Sequence, residues 1–308
     1  MRDLKLVTYN IDGLPEKIDL NDLPWIFKPI AWIYKLIKGT SIIFINDNYN
    51  KVECSKYISK CLAESNADII AVQEDFYYHN ELMSDLQDYN CGKTYDITKI
   101  FKNIKWLPYP HFKIDGLNLL VKKNTIQINS EDIVPWKKSY GYFKHANDKV
   151  TTKGFRFYSI TIDNIIDLDI YVLHMDADFY HPENCLDVSK DLKARKYQLN
   201  QLVNYINNKK SADPIIIMGD TNSYEKYSWD IDNINNDLIT PINNIPELHI
   251  EEALPNKDVD KIFYINNDLS PFKIEMVKCY YDMSFNDQLG KLSDHNPFIA
   301  EFKLIITK

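Results

Sequence analysis

The stretch PIIIMGDTN, residues 214–222, sets Ile215, Ile216, Ile217 and Met218 in an unbroken apolar run before Gly219, Asp220 and Asn222. A run without polar alternation reads as a strand covered on both faces. Gly219 permits a tight exit from that strand, with Asp220 and Asn222 placed at its end. Three other stretches follow the same rule: LKLVTYN ends at Asn10, DIIAVQED presents Glu74, and DIYVLHMDA presents His174. A fifth, LSDHNPFIAEF, puts Asp294 and His295 just ahead of another apolar run. Polar side chains at the ends of buried strands gather where those ends meet. The parts of a metal- or phosphate-handling site are therefore expected along one edge of a layered fold.

Working outward, KDLKARKYQLNQLVNYINNKK precedes residues 214–222 and places Leu192, Leu199, Leu202, Val203 and Ile206 on one helical face. The same order of helix, turn, buried strand and carboxylate occurs earlier. Residues 52–65 carry Tyr57, Ile58, Cys61 and Leu62 at helical spacing, and Asn66, Ala67 and Asp68 turn into the strand that presents Glu74. This echo suggests two similar halves, not a solenoid, because nothing repeats at a short fixed period. GLNLLVKK, GFRFYSITI, DKIFYIN and PFIAEFKLII read as further strands of mixed sheets.

At 308 residues, 45% of them hydrophobic, the chain can bury a substantial core. It has only 8 glycines and no Gly/Ser-rich or Pro-rich tract, so one domain over residues 1–308 is expected. The net charge of −8 and pI near 5.4 argue against a protein that grips long duplex DNA through a basic face. Lysine clusters such as 122–123, 137–138 and 193–196 read as solvated faces. The five cysteines are odd in number and hold no CxxC, which predicts reduced packing residues in an intracellular, cytoplasmic protein. The first residues, MRDLKLVTYN, enter a strand at once, so no signal peptide is expected.

An aromatic and basic insertion, at about residues 20–48, includes DLPWIFKPIAWIYKLIKGTSIIFIN. Pro24, Pro29, Lys28, Lys35 and Lys38 interrupt it, so it lacks the roughly 20 apolar residues of a transmembrane helix. Trp25, Phe27, Trp32 and Tyr34 with their lysines suit a peripheral membrane contact, the alternative being a segment folded onto the domain. No obligate protein partner is expected.

Hydrolysis of a phosphate ester requires shielding of the phosphate oxygens, an activated water and stabilisation of the leaving oxygen. A hard divalent cation on carboxylate and amide oxygens meets the first need, and Glu74 and Asn10 are suitable ligands. Asp220 can orient or deprotonate water, and Asn222 can donate to phosphate. His295 titrates near neutrality and can act as base or phosphate donor. Neighbours in an extended chain point to opposite sides, so Asp294 is not expected to orient the His295 ring. Asp260, which opens the strand DKIFYIN, is assigned that task. His174 is a second phosphate contact, and His79, His111, His145, His181 and His249 are read as surface or structural residues.

Taken in order, TYN, QE, the His174 segment, GDTN and SDH resemble the signature set of the endonuclease/exonuclease/phosphatase superfamily, over nearly the whole chain. The resemblance implies an α/β fold, a four-layer sandwich of two mixed β-sheets packed face to face with helices outside. It implies a Mg²⁺ site, or Mn²⁺ in its place, at Glu74 with Asn10 alongside and Asp294 near the metal. Asp220 and Asn222 would position water and phosphate, and His174 and His295 would stabilise the transition state, with Asp260 orienting His295. The general base is shared between His295 and Asp220.

NIDGL around Asp12, together with GDTN, is similar to tyrosyl-DNA phosphodiesterases, whereas HMDAD stands where a His-Leu-Glu type sequence is expected. The set TYNIDGLPE, VQEDFYYH, DGLNLL, TTKGFRF and HMDAD looks closer to a branch grouped with sphingomyelinase-like phosphodiesterases. Asp12 and Asn118, in two of those segments, are expected to contact substrate. The implied function is a Mg²⁺-dependent phosphodiester hydrolase, with a phospholipid headgroup or another small phosphodiester favoured. The alternatives are a nuclease or tyrosyl-DNA phosphodiesterase acting on DNA ends and, in another class, an inactive phosphate-binding module.

Overall fold

The computed structural model describes residues 1–13, 17–19, 32, 35–36, 42–44, 50–93, 115–140, 153–177, 188–224, 227–255, 258–287 and 290–307. In chain order the strands are β1 (Arg2–Asn10), β2 (Lys17–Asp19), β3 (Ile42–Phe44), β4 (Ile69–Gln73), β5 (Tyr89–Cys91), β6 (Asn118–Lys122), β7 (Ile126–Pro135) and β8 (Gly154–Ile162). They continue as β9 (Ile166–His174), β10 (Ile215–Asp220), β11 (Leu248–Glu252), β12 (Asp260–Asn267), β13 (Phe272–Tyr281), β14 (Asn286–Asp287), β15 (Gly290–Lys291) and β16 (Phe298–Ile306). Helices α1 (Lys51–Ser65), α2 (His79–Leu82) and α3 (Val188–Lys209) matter most for the site.

Two six-stranded sheets form, in the orders β13-β16-β1-β4-β6-β5 and β11-β12-β10-β9-β8-β7. Both are mixed. In the first, β1 runs parallel to β4 and antiparallel to β16; in the second, β10 runs parallel to β9 and antiparallel to β12. A parallel pair needs a long crossover, usually helical, and α1 and α3 serve the two pairs. The sequence echo of helix, turn and strand is this pair of crossovers.

The unbroken apolar runs follow from burial on both faces. In β10, Ile216 and Met218 point into the space between the sheets with Leu6, Ala71, Val172 and Ile262. Ile215 and Ile217 point outward against Leu199, Leu202 and Ile206 of α3. On the other side, Val7, Tyr9, Ile70 and Val72 meet Cys54, Ile58 and Leu62 of α1. The result is the sandwich of helix, sheet, sheet and helix that the resemblance implied. The buried stripe of α1 differs from the expected one: Cys54, Ile58 and Leu62 recur every fourth residue, and Tyr57 is exposed. An Asn50 side chain accepts the Glu53 N–H at the start of α1, and left-handed Asn66 ends it.

In the insertion, β2 pairs antiparallel with β3. Trp32, Lys35 and Leu36 are helical and exposed. Trp25, Phe27, Lys28, Tyr34 and Lys38 lie outside the described residues, as do Cys185, His111, His145 and His181. The four described cysteines, Cys54, Cys61, Cys91 and Cys279, form no disulfide with one another. Among the described residues no helix is long and apolar enough to cross a membrane.

Gly219 is where the strand argument meets geometry. Its φ is +143°, and a Cβ there would lie 2.1 Å from the Leu173 carbonyl oxygen of β9. Gly219→Ala is expected to force β9 and β10 apart beside Asp220 and to lower stability by about 1–3 kcal/mol, the usual size of such local strain. An unchanged urea unfolding midpoint would refute this.

Candidate active site

Strand register explains which polar residues meet. In the parallel β1–β4 pair Asn10 lies opposite Gln73, so Glu74 is the first residue beyond the shared strand ends. In the second sheet His174 lies opposite Asp220, and Asp220 opposite Asp260, forming one row across β9, β10 and β12. Both groups sit at the carboxyl ends of parallel strands, where open α/β sheets commonly bind ligands. Ser293 fastens the SDH turn beside them: its Oγ donates to the Asn10 carbonyl at 2.7 Å and accepts the His295 N–H at 3.1 Å.

Asp220 is the centre of the cluster. Its Oδ2 accepts Asn10 Nδ2 at 3.1 Å and lies 3.4 Å from His174 Nε2 and 3.8 Å from His295 Nε2. Its Oδ1 accepts the N–H of Asn222 at 2.8 Å. Asn10 Nδ2 also donates to Glu74 Oε1 at 3.1 Å, and that oxygen lies 3.8 Å from His174 Nε2. Asn10, Glu74, His174, Asp220 and His295 are thus linked by contacts of 3.8 Å or less. His295 Nδ1 lies 2.6 Å from Asp260 Oδ2, the partner expected from sequence.

The environment separates the two histidines. Burial, reinforced by Lys153 and His295, holds His174 well below its ordinary range, so its ring is neutral at pH 7. Burial also opposes a charge on His295, but the adjacent Asp260 carboxylate, with Asp220 and Asp294, outweighs it and keeps the ring protonated. Burial pushes Glu74 up to about 7, despite the lowering effects of Lys153 and the Asn10 hydrogen bond. Burial likewise raises Asp12, which Lys51 pulls back.

Other predicted residues take different places. Asn10 meets Glu74 through its donor nitrogen, while its Oδ1, the atom that would ligate a cation, accepts the Asp12 N–H at 3.1 Å. Asn10 therefore orients the two carboxylates in this arrangement. Asn222 Nδ2 donates to the Met175 carbonyl at 3.0 Å. Asp294 is exposed, yet its Oδ1 lies 3.8 Å from His295 Nε2, because residues 292–295 bend and do not run as extended chain. Asp12 bonds Lys51 through its carboxylate and its carbonyl oxygen. Asn118 is buried and turned to Asp75 and Arg156, which places it behind Glu74 and away from solvent. His79 is bound to Asp75 at 2.6 Å and held protonated up to about 10, chiefly by that hydrogen bond; His249 pairs with Asp268.

Sequence reasoning missed two buried lysines. Lys51 opens α1 and holds Asp12, and Lys153 donates to the Met175 carbonyl at 3.1 Å and influences both Glu74 and His174. Lys153 had a visible signal, a lysine directly before the buried strand GFRFYSITI. Lys51 had none, because it follows a polar stretch typical of a loop.

The donors fit a hard divalent cation. Ligand atoms of Asp220, Asp260 and His295 lie within 4.8 Å of one another. The His295–Asp260 contact occupies two of these, which leaves the carboxylate oxygens of Glu74 and Asp220 as the natural hard donors. A partly buried Glu74 raised to about 7 is a carboxylate short of positive charge. A divalent ion held there would supply that charge.

No family model and no curated protein matches the chain by sequence. Solved structures do match by fold. Sphingomyelinase C from Streptomyces griseocarneus superposes with a TM-score of 0.62 at 14% identity, covering 98% of this chain and 99% of that one. D. rerio TDP2 complexed with single-strand DNA product gives 0.62 at 13% identity, with the same coverage of 98% and 99%. A Staphylococcus aureus beta toxin variant with bound magnesium ions gives 0.59 at 15% identity, covering 97% and 99%. The chain therefore has the fold of the endonuclease/exonuclease/phosphatase superfamily, the DNase I-like sandwich.

Proposed function

We propose that this chain is a divalent-metal-dependent phosphodiesterase whose substrate is a phospholipid headgroup or another small phosphodiester. The observation that carries the reading is the convergence of His174 and His295 on the Asp220 carboxylate, with Glu74 beside His174 and joined to Asp220 through the Asn10 amide, so that both sheets contribute. Magnesium, or manganese in its place, would be held by Glu74 and Asp220, and would screen the phosphate charge.

The protein's own groups divide the remaining work. Asp220, fixed by Asn10 and by the Asn222 N–H, accepts the proton of the attacking water. Protonated His295 and the neutral N–H of His174 face the phosphate oxygens as charge builds on them. A new P–O bond forms to the water oxygen as the bond to the leaving oxygen breaks. Because Asp260 keeps His295 charged, Asp220 is the better base.

The lipid arm rests on the acidic charge and on the exposed Trp32, Lys35 and Leu36. The second reading, a DNA end, rests on the NIDGL and GDTN segments and on the equally good superposition with TDP2.

With bis-p-nitrophenyl phosphate and Mg²⁺, turnover is expected to stop with EDTA and to fall by about 10²–10³ in Asp220→Asn and His295→Ala. Turnover equal in wild type and His295→Ala supports the inactive phosphate-binding module instead. In Asp260→Asn, His295 loses its main support for the proton, so the ring deprotonates at lower pH. The alkaline limb of kcat/KM should then move down by about one unit or more; an unmoved limb refutes the protonated role of His295. Sphingomyelin vesicles are expected to be cleaved faster than a 5′-tyrosyl oligonucleotide, with vesicle binding reduced in the Trp25→Ala, Trp32→Ala double variant. Faster cleavage of the oligonucleotide reverses the substrate ranking.

A further inference from the structure

Glu74 is a non-glycine residue in left-handed backbone, φ +60°, directly after β4. That conformation is strained for an L-residue and persists only where the surroundings impose it. On one side Gly13 backs the peptide so closely that a Cβ there would lie 2.2 Å from the Glu74 carbonyl oxygen. On the other, the next residue is gripped three ways. The Asp75 N–H donates to the Gly116 carbonyl at 3.0 Å, and its Oδ2 meets Asn118 Nδ2 at 2.5 Å and His79 Nδ1 at 2.6 Å.

Behind Asn118 stands a wholly buried ion pair. Arg156 of β8 donates through Nε and Nη2 to the two carboxylate oxygens of Asp115 at 2.7 and 2.5 Å, and its Nη1 lies 3.5 Å from Asn118 Oδ1. Arg156, Asp115, Asn118 and Asp75 are all 3% exposed or less. Arg156 belongs to the second sheet and Asn118 to the first, so the chain of contacts joins the sheets beside Glu74. Buried ion pairs add little stability over an apolar substitute, but they hold geometry tightly. The network they back ends on Asp75, one residue from the Glu74 carboxylate, which gives that geometry a use.

We propose that Asn118, backed by the Arg156–Asp115 pair and joined by His79, grips Asp75 to set the Glu74 carboxylate for a divalent cation, and is a positioning residue that makes no contact with substrate. The inference rests on the metal-dependent reading above. Its test is Mn²⁺ binding followed by electron paramagnetic resonance, with circular dichroism as the folding control. Partners behind a metal ligand typically contribute 10- to 100-fold in affinity, so Asn118→Leu is expected to weaken Mn²⁺ binding by about tenfold or more. Its activity should return to within about threefold of wild type at saturating metal.

Weaker Mn²⁺ binding in both Glu74→Gln and folded Asn118→Leu supports the proposal. Binding that weakens in Glu74→Gln and stays unchanged in folded Asn118→Leu overturns it and leaves the metal site standing. Binding indifferent to Glu74→Gln removes the metal reading and this inference together. An activity loss in Asn118→Leu that saturating metal does not recover, or that appears as a raised KM for substrate alone, also overturns it. Should Asn118→Leu fail to fold, His79→Ala at the partly exposed end of the network carries the test: weaker Mn²⁺ binding supports the proposal, and unchanged binding overturns it.

Discussion

The contact between Asn10 and Asp220 is the one on which the rest of the site depends. Asn10 ends a strand of the first sheet and Asp220 ends a strand of the second, and a single amide nitrogen joins Asp220 to Glu74 across the gap. Two carboxylates sharing one donor repel, and the amide between them offsets only part of that repulsion. Protonated His295 and nearby Lys153 offset part of that negative charge, and a divalent ion would complete the balance.

Strand register decides who belongs to the cluster. A shift of β10 by one residue would turn Asp220 toward the opposite face and separate it from His174 and Asp260. Gly219 protects that register by letting the Leu173 carbonyl of the neighbouring strand come within a distance that no Cβ permits. The packing does the same from both sides, since Ile216 and Met218 interlock with the opposite sheet and Ile215 and Ile217 with α3.

The site is also held from behind, by groups that never reach its open side. Lys51 fixes Asp12, Ser293 ties the His295 turn to β1, and the Arg156 network ends on Asp75. The side chains on the open side are thus few, and each is held by a neighbour anchored inside the protein. Placement of this kind lets charged groups act at full strength where water is scarce.

Much of this was legible in the amino-acid order. Largely apolar runs ending near Asn10, Glu74, His174 and Asp220 announced buried strands, and Asp260 could be matched to His295 because it too opens an apolar strand. Other matters were decided only by the tertiary structure. The bend at residues 292–295 brings Asp294 back toward His295, the donor nitrogen of Asn10 faces the carboxylates, and Asn118 turns inward to Asp75. Periodicity reports which face of an element is buried, because burial repeats with the backbone. Which atom of a polar side chain meets which neighbour depends on residues hundreds of positions away, and no local pattern encodes that.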